Sequence, residues 1–495
     1  MSNRDREALT AADLNWWYGD QPRQRTTMAL LMLLDRRPDP QRLRRAALHA
    51  ANSVPRLRQR IVDAPFQLAL PRWESDPTFD LSYHLRHYSL RADVEAGGSL
   101  NELFRAIGPI YERPFDRTRP LWELIALDLP EDEAALFLRL HHSIADGVGG
   151  NAILAALTDG TREGEPRPRE DERLPGTWPE PNLGGSIARA LQDRFSDEVN
   201  RARGVGALLW GMVRRPRRIF DAGRAGASIA NDLMRRGRSP LKGYGRARKL
   251  GGLAVPFAPL REARKRLDCR TIDLLLAGVA GAMGEWHRAV EHDEVDTLLT
   301  AVPINLRPPD ARGLNSQVGN DLTAMLMHLP IGERDPGRRL ERIRELVTRK
   351  REHPAAGIFP FFAGALAGLP RPLHRAASLA SGGMLDLIVT NVPGIPFRRF
   401  AAGAEIRSAY PIAPVMPHCP LSIALYGYSD HLYVGLDADG TAISELDSIC
   451  EMLEKALSEL TSLPKPRARR VARRAASQSR AKSGRPGLNP RAGTR

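Results

Sequence analysis

The sequence predicts an α/β protein of two lobes, and three features carry that prediction. The chain has 495 residues, too many for a single hydrophobic core. Helix-like and strand-like segments alternate on both sides of a stretch dominated by Pro, Gly and Arg, and 42% of the residues are hydrophobic, enough to fill both lobes. Residues 1–160 then form an N-terminal lobe, 161–250 a linker and basic crossover, 251–463 a C-terminal lobe, and 464–495 a disordered basic tail.

In chain order, LTAADLNWWYGD reads as a helix that Thr10 can cap, with Asp13 three positions on to complete a capping box. TMALLMLLD reads as a buried strand, PQRLRRAALHAANSV as a helix started by Pro40, and NELFRAIGPIYERPF as another helix. PLWELIALDLP and AALFLRLHH read as strands. The next stretch, EGEPRPREDERLPGTWPEPNLGG, has linker composition. The basic run that follows mixes Leu, Trp, Met, Ile and Phe with arginines, which suits one or two amphipathic helices broken at Pro216 that pack on the body or lie on a membrane surface. After Gly251, residues 271–290 have helical spacing, TLLTAVPINL and DLTAMLMHL read as strands, and PGRRLERIRELVTRKREH as a charged helix. LDLIVTNVPG reads as a strand entering a turn, LSIALYGYSDHLYVGLDADG as a hairpin turning at Ser429-Asp430, and ISELDSICEMLEKALSEL as a closing amphipathic helix.

Charge and cysteine content narrow the class. The net charge of +15 is concentrated at the C-terminus, where the residues after Pro464 hold eleven Lys/Arg and no acid, leaving +4 for the rest. That tail is too poor in apolar residues to order itself. It suits a solvated tail or contact with anionic lipid, at about 1 kcal/mol per basic residue near a surface. No aromatic residues interleave its charges, so a specific nucleic-acid partner is not expected. Cys269, Cys419 and Cys450 lack metal-ligand or disulfide-framework spacing, which indicates a reducing cytoplasm and no metal site. The N-terminus has charges and no apolar h-region, and no run of eighteen apolar residues occurs, so secretion and membrane spanning are not expected.

The chemistry centres on HHSIADGVGG, His141 to Gly150, directly after AALFLRL. Strand alternation places Leu136, Leu138, Leu140 and His142 on one face and Phe137, Arg139 and His141 on the other. A histidine ending a buried strand is commonly a satisfied core residue. Here it is followed by Asp146, which can turn back within the loop, and by Gly147, Gly149 and Gly150, which permit close approach of a ligand. A general base needs a neutral imidazole held through one nitrogen, and an ordinary pKa of about 6.5 suits that work. Glu123 and Glu133 make poor metal partners for these histidines, and Ser143 should alternate away from His142, which disfavours a nucleophile.

HHSIADG matches the HHxxxDG signature of CoA-dependent acyltransferases and of the condensation domains of peptide synthetases. Together with ERPFDRTRPLWELIALDL, AVPINLRPP, LNSQVGNDLTAM, TNVPGIP and GAEIRSAYPIAPVMPHCPLSIALYGYSDHLYVGLDADG, in that order, the chain resembles the bacterial wax ester synthase/diacylglycerol acyltransferase family from about Leu9 to Leu463. The resemblance implies two chloramphenicol-acetyltransferase-like lobes with a substrate tunnel between them. It implies an O-acyltransferase that takes a long-chain acyl group from acyl-CoA, the co-substrate and sole cofactor-like molecule, to a lipid alcohol, diacylglycerol foremost.

By the same resemblance His142 is the general base, His141 supports the motif, Asp146 orients the loop with Arg307 a candidate partner, Gly147 completes the motif, and Asn320 donates to the oxyanion. A positioned oxyanion donor is worth about 3 kcal/mol; Asn320 could instead cap or break the strand beside it. Pro120-Leu121-Trp122 and Asn391 to Gly394 match architectural motifs, and LTAMLMHL and GIFPFFAGALAGL could line an acyl tunnel or be core. Valine and glycine at 148–150, where many relatives carry serine, and the ending of NVPGIP depart from the usual pattern and bear on acyl or alcohol preference. Other readings are wax ester formation from fatty alcohols, a condensation enzyme without its carrier domain, and a non-catalytic lipid-binding relative. The place of action expected is the cytoplasm, the inner face of the membrane or the surface of lipid inclusions.

Overall fold

The computed structural model describes residues 6–95, 97–164, 187–188, 190–195, 239, 241–291, 295–305, 322–352 and 371–465. The first half supplies strands β1 (Arg6–Ala8), β2 (Thr27–Leu34), β3 (Gln59–Val62), β4 (Arg72–Ser75), β5 (Leu85–Ser89), β6 (Trp122–Asp128) and β7 (Ala134–His141). Its helices are α1 (Ala11–Gly19), α2 (Pro40–Ser53), the single turn α3 (Leu81–His84), α4 (Leu100–Glu112) and α5 (Gly147–Leu157). The second half supplies β8 (Arg248–Pro256), β9 (Leu298–Asn305), β10 (Leu322–Leu329), β11 (Leu387–Ile395), β12 (Phe400–Ala401), β13 (Ala404–Ile412), β14 (Leu421–Tyr428) and β15 (His431–Asp439). With them come α6 (Phe257–Leu267), α7 (Thr271–Trp286), α8 (Pro336–Glu352), α9 (Arg371–Gly382) and α10 (Leu446–Ser462).

Local signals place most of these elements. Thr10 and Asp13 form the capping box that starts α1, and Asp39 caps α2 one residue before Pro40. β7 lies between β2 and β6 and is buried at every position. α7 is apolar nearly all round and is correspondingly buried all round.

Among the described residues the strands form two six-stranded sheets and one of three. The first large sheet runs β12-β13-β2-β7-β6-β5, the second β10-β9-β11-β14-β15-β8, and the small one β1-β4-β3. Each large sheet anchors its own apolar cluster. Two features depart from the lobe limits read from sequence. β13 pairs antiparallel with β2, Tyr410 opposite Leu31, so residues 400–412 complete the first lobe's sheet rather than the second's. β8 begins at Arg248 and pairs with β15, so part of the presumed crossover is already sheet. The remaining basic crossover of 199–247 and the tail after Lys465 fall almost entirely outside the described residues.

The lobes are joined by specific contacts. A Cβ at Gly435 of β15 would lie 1.7 Å from the Pro411 carbonyl oxygen of β13, so only glycine lets these strands pass. Arg248 N–H donates to Glu112 at the end of α4 (2.6 Å). The Tyr111 hydroxyl, also on α4, sits 2.8 Å from the Thr27 carbonyl and 3.0 Å from Asp437. Burial pushes the Asp437 carboxyl up to about 6. No helix among the described residues is long and apolar enough to cross a membrane.

Candidate active site

β7 carries Phe137, Arg139 and His141 on one face, against α1 and the end of α4. Arg139 pairs with Glu123, directly opposite on β6, and both are buried. The same guanidinium donates to the Tyr111 (3.2 Å) and Arg113 carbonyls that end α4 and lies over Phe115, 4.8 Å from its centroid. Phe115 in turn meets His141 edge-on at 6.4 Å. Glu123, a poor metal ligand on sequence grounds, thus neutralises the arginine beneath the histidine layer.

His141 is buried with both ring nitrogens engaged. Its Nδ1 accepts from Ser143 N–H (3.2 Å) and lies 2.7 Å from the Ser143 hydroxyl, and its Nε2 lies 2.8 Å from the Thr26 hydroxyl. Thr26 Oγ1 donates onward to the Trp16 carbonyl (3.4 Å), so this network assigns the proton of His141 to Nε2. Burial, with the positive charge of Arg117 nearby, pushes its pKa down to about 3. His141 is therefore neutral across the physiological range and is fitted to hold the turn. The Ser143 hydroxyl is buried on His141.

His142 is the first residue past the strand. Its N–H donates to the Thr26 carbonyl (2.8 Å), and its half-buried ring stacks on Trp16, centroids 3.9 Å apart and planes 15° from parallel. Thr26 thus holds both histidines, one through its carbonyl and one through its hydroxyl, and Trp16 backs the pair. Neither residue is marked in the sequence: Trp16 reads as an apolar position of a capped helix and Thr26 as a strand's first neighbour.

Asp146 caps α5. Its carboxylate accepts from Val148 N–H (3.1 Å) and Gly149 N–H (2.8 Å), so its described role is to fix the loop after the histidines. A Cβ at Gly147 would lie 2.6 Å from Val392 of the NVPG segment, and that contact accounts for the glycine. One turn later Asn151 donates to the Pro393 carbonyl (2.6 Å) and accepts from the Tyr426 hydroxyl (2.9 Å). The histidine turn is thereby bolted to β11 and β14 of the second lobe, a link the sequence reading missed. Trp122 of the PLW motif is buried, stacks on His84 at 4.7 Å and donates to the Leu57 carbonyl (2.8 Å). Met325, Met327 and Leu329 of LTAMLMHL lie in the second lobe's core. Asn320, Arg307 and GIFPFFAGALAGL lie outside the described residues.

Two substitutions test this arrangement. Trp16→Ala should lower kcat by up to about 10², the cost of a displacement of about 1 Å at a reacting centre, by freeing the His142 ring, with Trp16→Phe restoring most of it; unchanged steady-state kinetics in Trp16→Ala would show the stack to be idle. For His141, the folded pKa near 3 lies below the ordinary 6.5, so between these values the unfolded chain binds more protons. Stability contributed by neutral His141 is full above pH 6.5 and is lost as pH falls, at up to about 1.4 kcal/mol per pH unit. Asp437, shifted upward, acts in the opposite sense. The check is therefore the difference in denaturation stability between wild type and His141→Gln, which should grow more unfavourable to wild type as pH falls from 6.5 to 4.

Against known proteins, residues 9–275 match the model of the wax ester synthase/diacylglycerol acyltransferase catalytic domain, and residues 318–461 match the C-terminal domain of the same family. A Mycobacterium tuberculosis H37Rv protein named as a diacylglycerol O-acyltransferase is 29% identical over 461 residues, covering 90% of each chain. A second from that strain, similarly named, is 26% identical over 462 residues, covering 89% of this chain and 92% of its own. The fold is similar to that of the wax ester synthase/diacylglycerol acyltransferase from Marinobacter aquaeolei, at a TM-score of 0.60 and 18% identity, covering 92% of this chain and 100% of the other. It is equally similar to the first condensation domain of the calcium-dependent antibiotic synthetase (TM-score 0.60, 17% identity, 93% and 97% covered). With the catalytic-domain model matched over more than half its length and its two condensation-domain-like lobes in place, this chain belongs to the wax ester synthase/diacylglycerol acyltransferase family of acyltransferases.

Proposed function

We propose that this acyltransferase moves a long-chain acyl group from acyl-CoA to the free hydroxyl of diacylglycerol, releasing triacylglycerol and CoA. The observation that carries the reading is the division of labour in the turn: His141 is buried with both nitrogens engaged, while His142 stands at the strand's end against Trp16. His142 takes the hydroxyl proton as the alcohol oxygen attacks the thioester carbonyl. The resulting oxyanion is assigned to Asn320, and its collapse expels the CoA thiolate, which recovers the proton. Asp146 and Gly147 hold the loop without joining the proton transfer. No acyl-enzyme forms, and no cofactor or metal is needed beyond acyl-CoA as co-substrate. The enzyme acts in the cytoplasm, peripherally on anionic membrane or lipid inclusions.

The test is product analysis. Purified enzyme given palmitoyl-CoA with equal diacylglycerol and hexadecanol should make mainly triacylglycerol. Mainly wax ester would assign the alternative alcohol, and binding of acyl-CoA with no ester of either kind would favour a non-catalytic lipid binder.

A further inference from the structure

Large apolar side chains exposed among the described residues include Phe66 (77%), Phe195 (73%), Leu373 (56%) and Leu191 (52%). They lie on three segments that two ion pairs tie to one end of the β3–β4 hairpin, where Val62 pairs with Arg72. Phe66 lies in the hairpin loop at a positive φ of 52°. Asp63, the first loop residue, pairs with Arg371 of α9 (2.6 Å), two residues before Leu373. Arg72 pairs with Asp193 (2.9 Å) in the helical turns of 190–195. In those turns Ala190 and Asp193 face the body, while Leu191 and Phe195, four apart, share an outward face. A helix with its apolar stripe toward solvent inverts the usual arrangement.

The patch also adjoins the candidate active site. Asp63 accepts from the Trp17 indole (3.2 Å), and the neighbouring Trp16 stacks on His142. Among the described residues, Asp63 and Asp193 are each matched by an arginine, and Arg194 and Arg375 are exposed, leaving a positive balance.

We propose that this face docks on an anionic phospholipid bilayer, with Phe66, Phe195 and Leu373 entering the headgroup region and Arg194 and Arg375 meeting lipid phosphates. Aromatic and aliphatic side chains rimmed by arginine are suited to such an interface. The chain's own basic tail has the wrong sign to cover the patch. A two-fold contact with a second copy would bring two sets of Arg194 and Arg375 into one interface and double its positive charge. The proposal draws its purpose from the lipid-acceptor reading, since docking here would bring a bilayer-borne alcohol to the side of the molecule nearest His142.

The test reads binding without catalysis, so its failure is distinct from failure of the acyltransferase reading. Full-length protein is sedimented with phosphatidylcholine/phosphatidylglycerol vesicles at low salt and at raised salt, where the tail's charges are screened. At raised salt Phe66→Ser/Phe195→Ser/Leu373→Ser should lose about tenfold or more in binding, and at low salt Arg194→Glu/Arg375→Glu should lose the preference for anionic over pure phosphatidylcholine vesicles. Hydrogen exchange in wild type should slow at residues 63–71 when vesicles are added, a readout that does not depend on any variant folding. Wild-type binding by the apolar variant, unchanged exchange in the loop, or loss of a vesicle-free dimer on substitution would each overturn the proposal.

Discussion

His142→Ala is expected to lower turnover by about 10² or more, the loss that follows removal of a general base. The ring is only half-buried, and the main-chain N–H that bonds the Thr26 carbonyl stays in the variant. Circular dichroism and thermal denaturation should therefore match wild type while kcat falls. His141→Ala should show the reverse balance. It leaves the Thr26 and Ser143 groups buried without their partner, so it should cost stability first and activity less. An activity loss in His141→Ala equal to that in His142→Ala, with stability intact, would show that the roles are exchanged.

Arg139→Met should destabilise the protein by about 3 kcal/mol, the low end of the expected cost of removing one partner of a buried ion pair. Glu123 would keep only the half-exposed Arg113, 4.0 Å away, as counter-charge, and the Tyr111 and Arg113 carbonyls at the end of α4 would lose their donor. Burial already works against the charge of Arg139, and Glu123 is the first group that opposes this. Removing both charges in Arg139→Met/Glu123→Leu should recover much of the loss, because the pair's desolvation cost disappears with it. Recovery should be incomplete, since the α4 carbonyls stay unsatisfied. Denaturant titration of wild type, the two single variants and the double variant measures the coupling. Additive single effects would mean that the pair does not interact as the geometry requires.

How much of this was legible in the sequence varied with how local the cause was. The Thr10–Asp13 capping box, the helix after Pro40, the strands of AALFLRLHH and TLLTAVPINL and the Ser429-Asp430 hairpin all depend on neighbouring residues, and all are found. The pairing of β13 with β2 joins segments almost four hundred residues apart, and nothing in GAEIRSAYPI specifies it. At the site, the motif alone singled out His141, His142, Asp146 and Gly147. The groups that hold them, Thr26, Trp16, Asn151 and Tyr426, are unremarkable residue types whose roles exist only once β2, α1 and β14 are brought against the turn. Strand alternation placed His142 on the Leu140 face, but β7 ends at His141 and the chain is already turning, so Trp16 rather than a strand neighbour positions its ring.

The most direct measurement is release of free CoA from palmitoyl-CoA by purified protein, with and without diacylglycerol, in wild type and His142→Ala. The account predicts release that depends on the acceptor, yields triacylglycerol in equal amount, and falls by about 10² in the variant. Release at the same rate without acceptor, or undiminished in His142→Ala, would contradict direct transfer to an alcohol activated by His142.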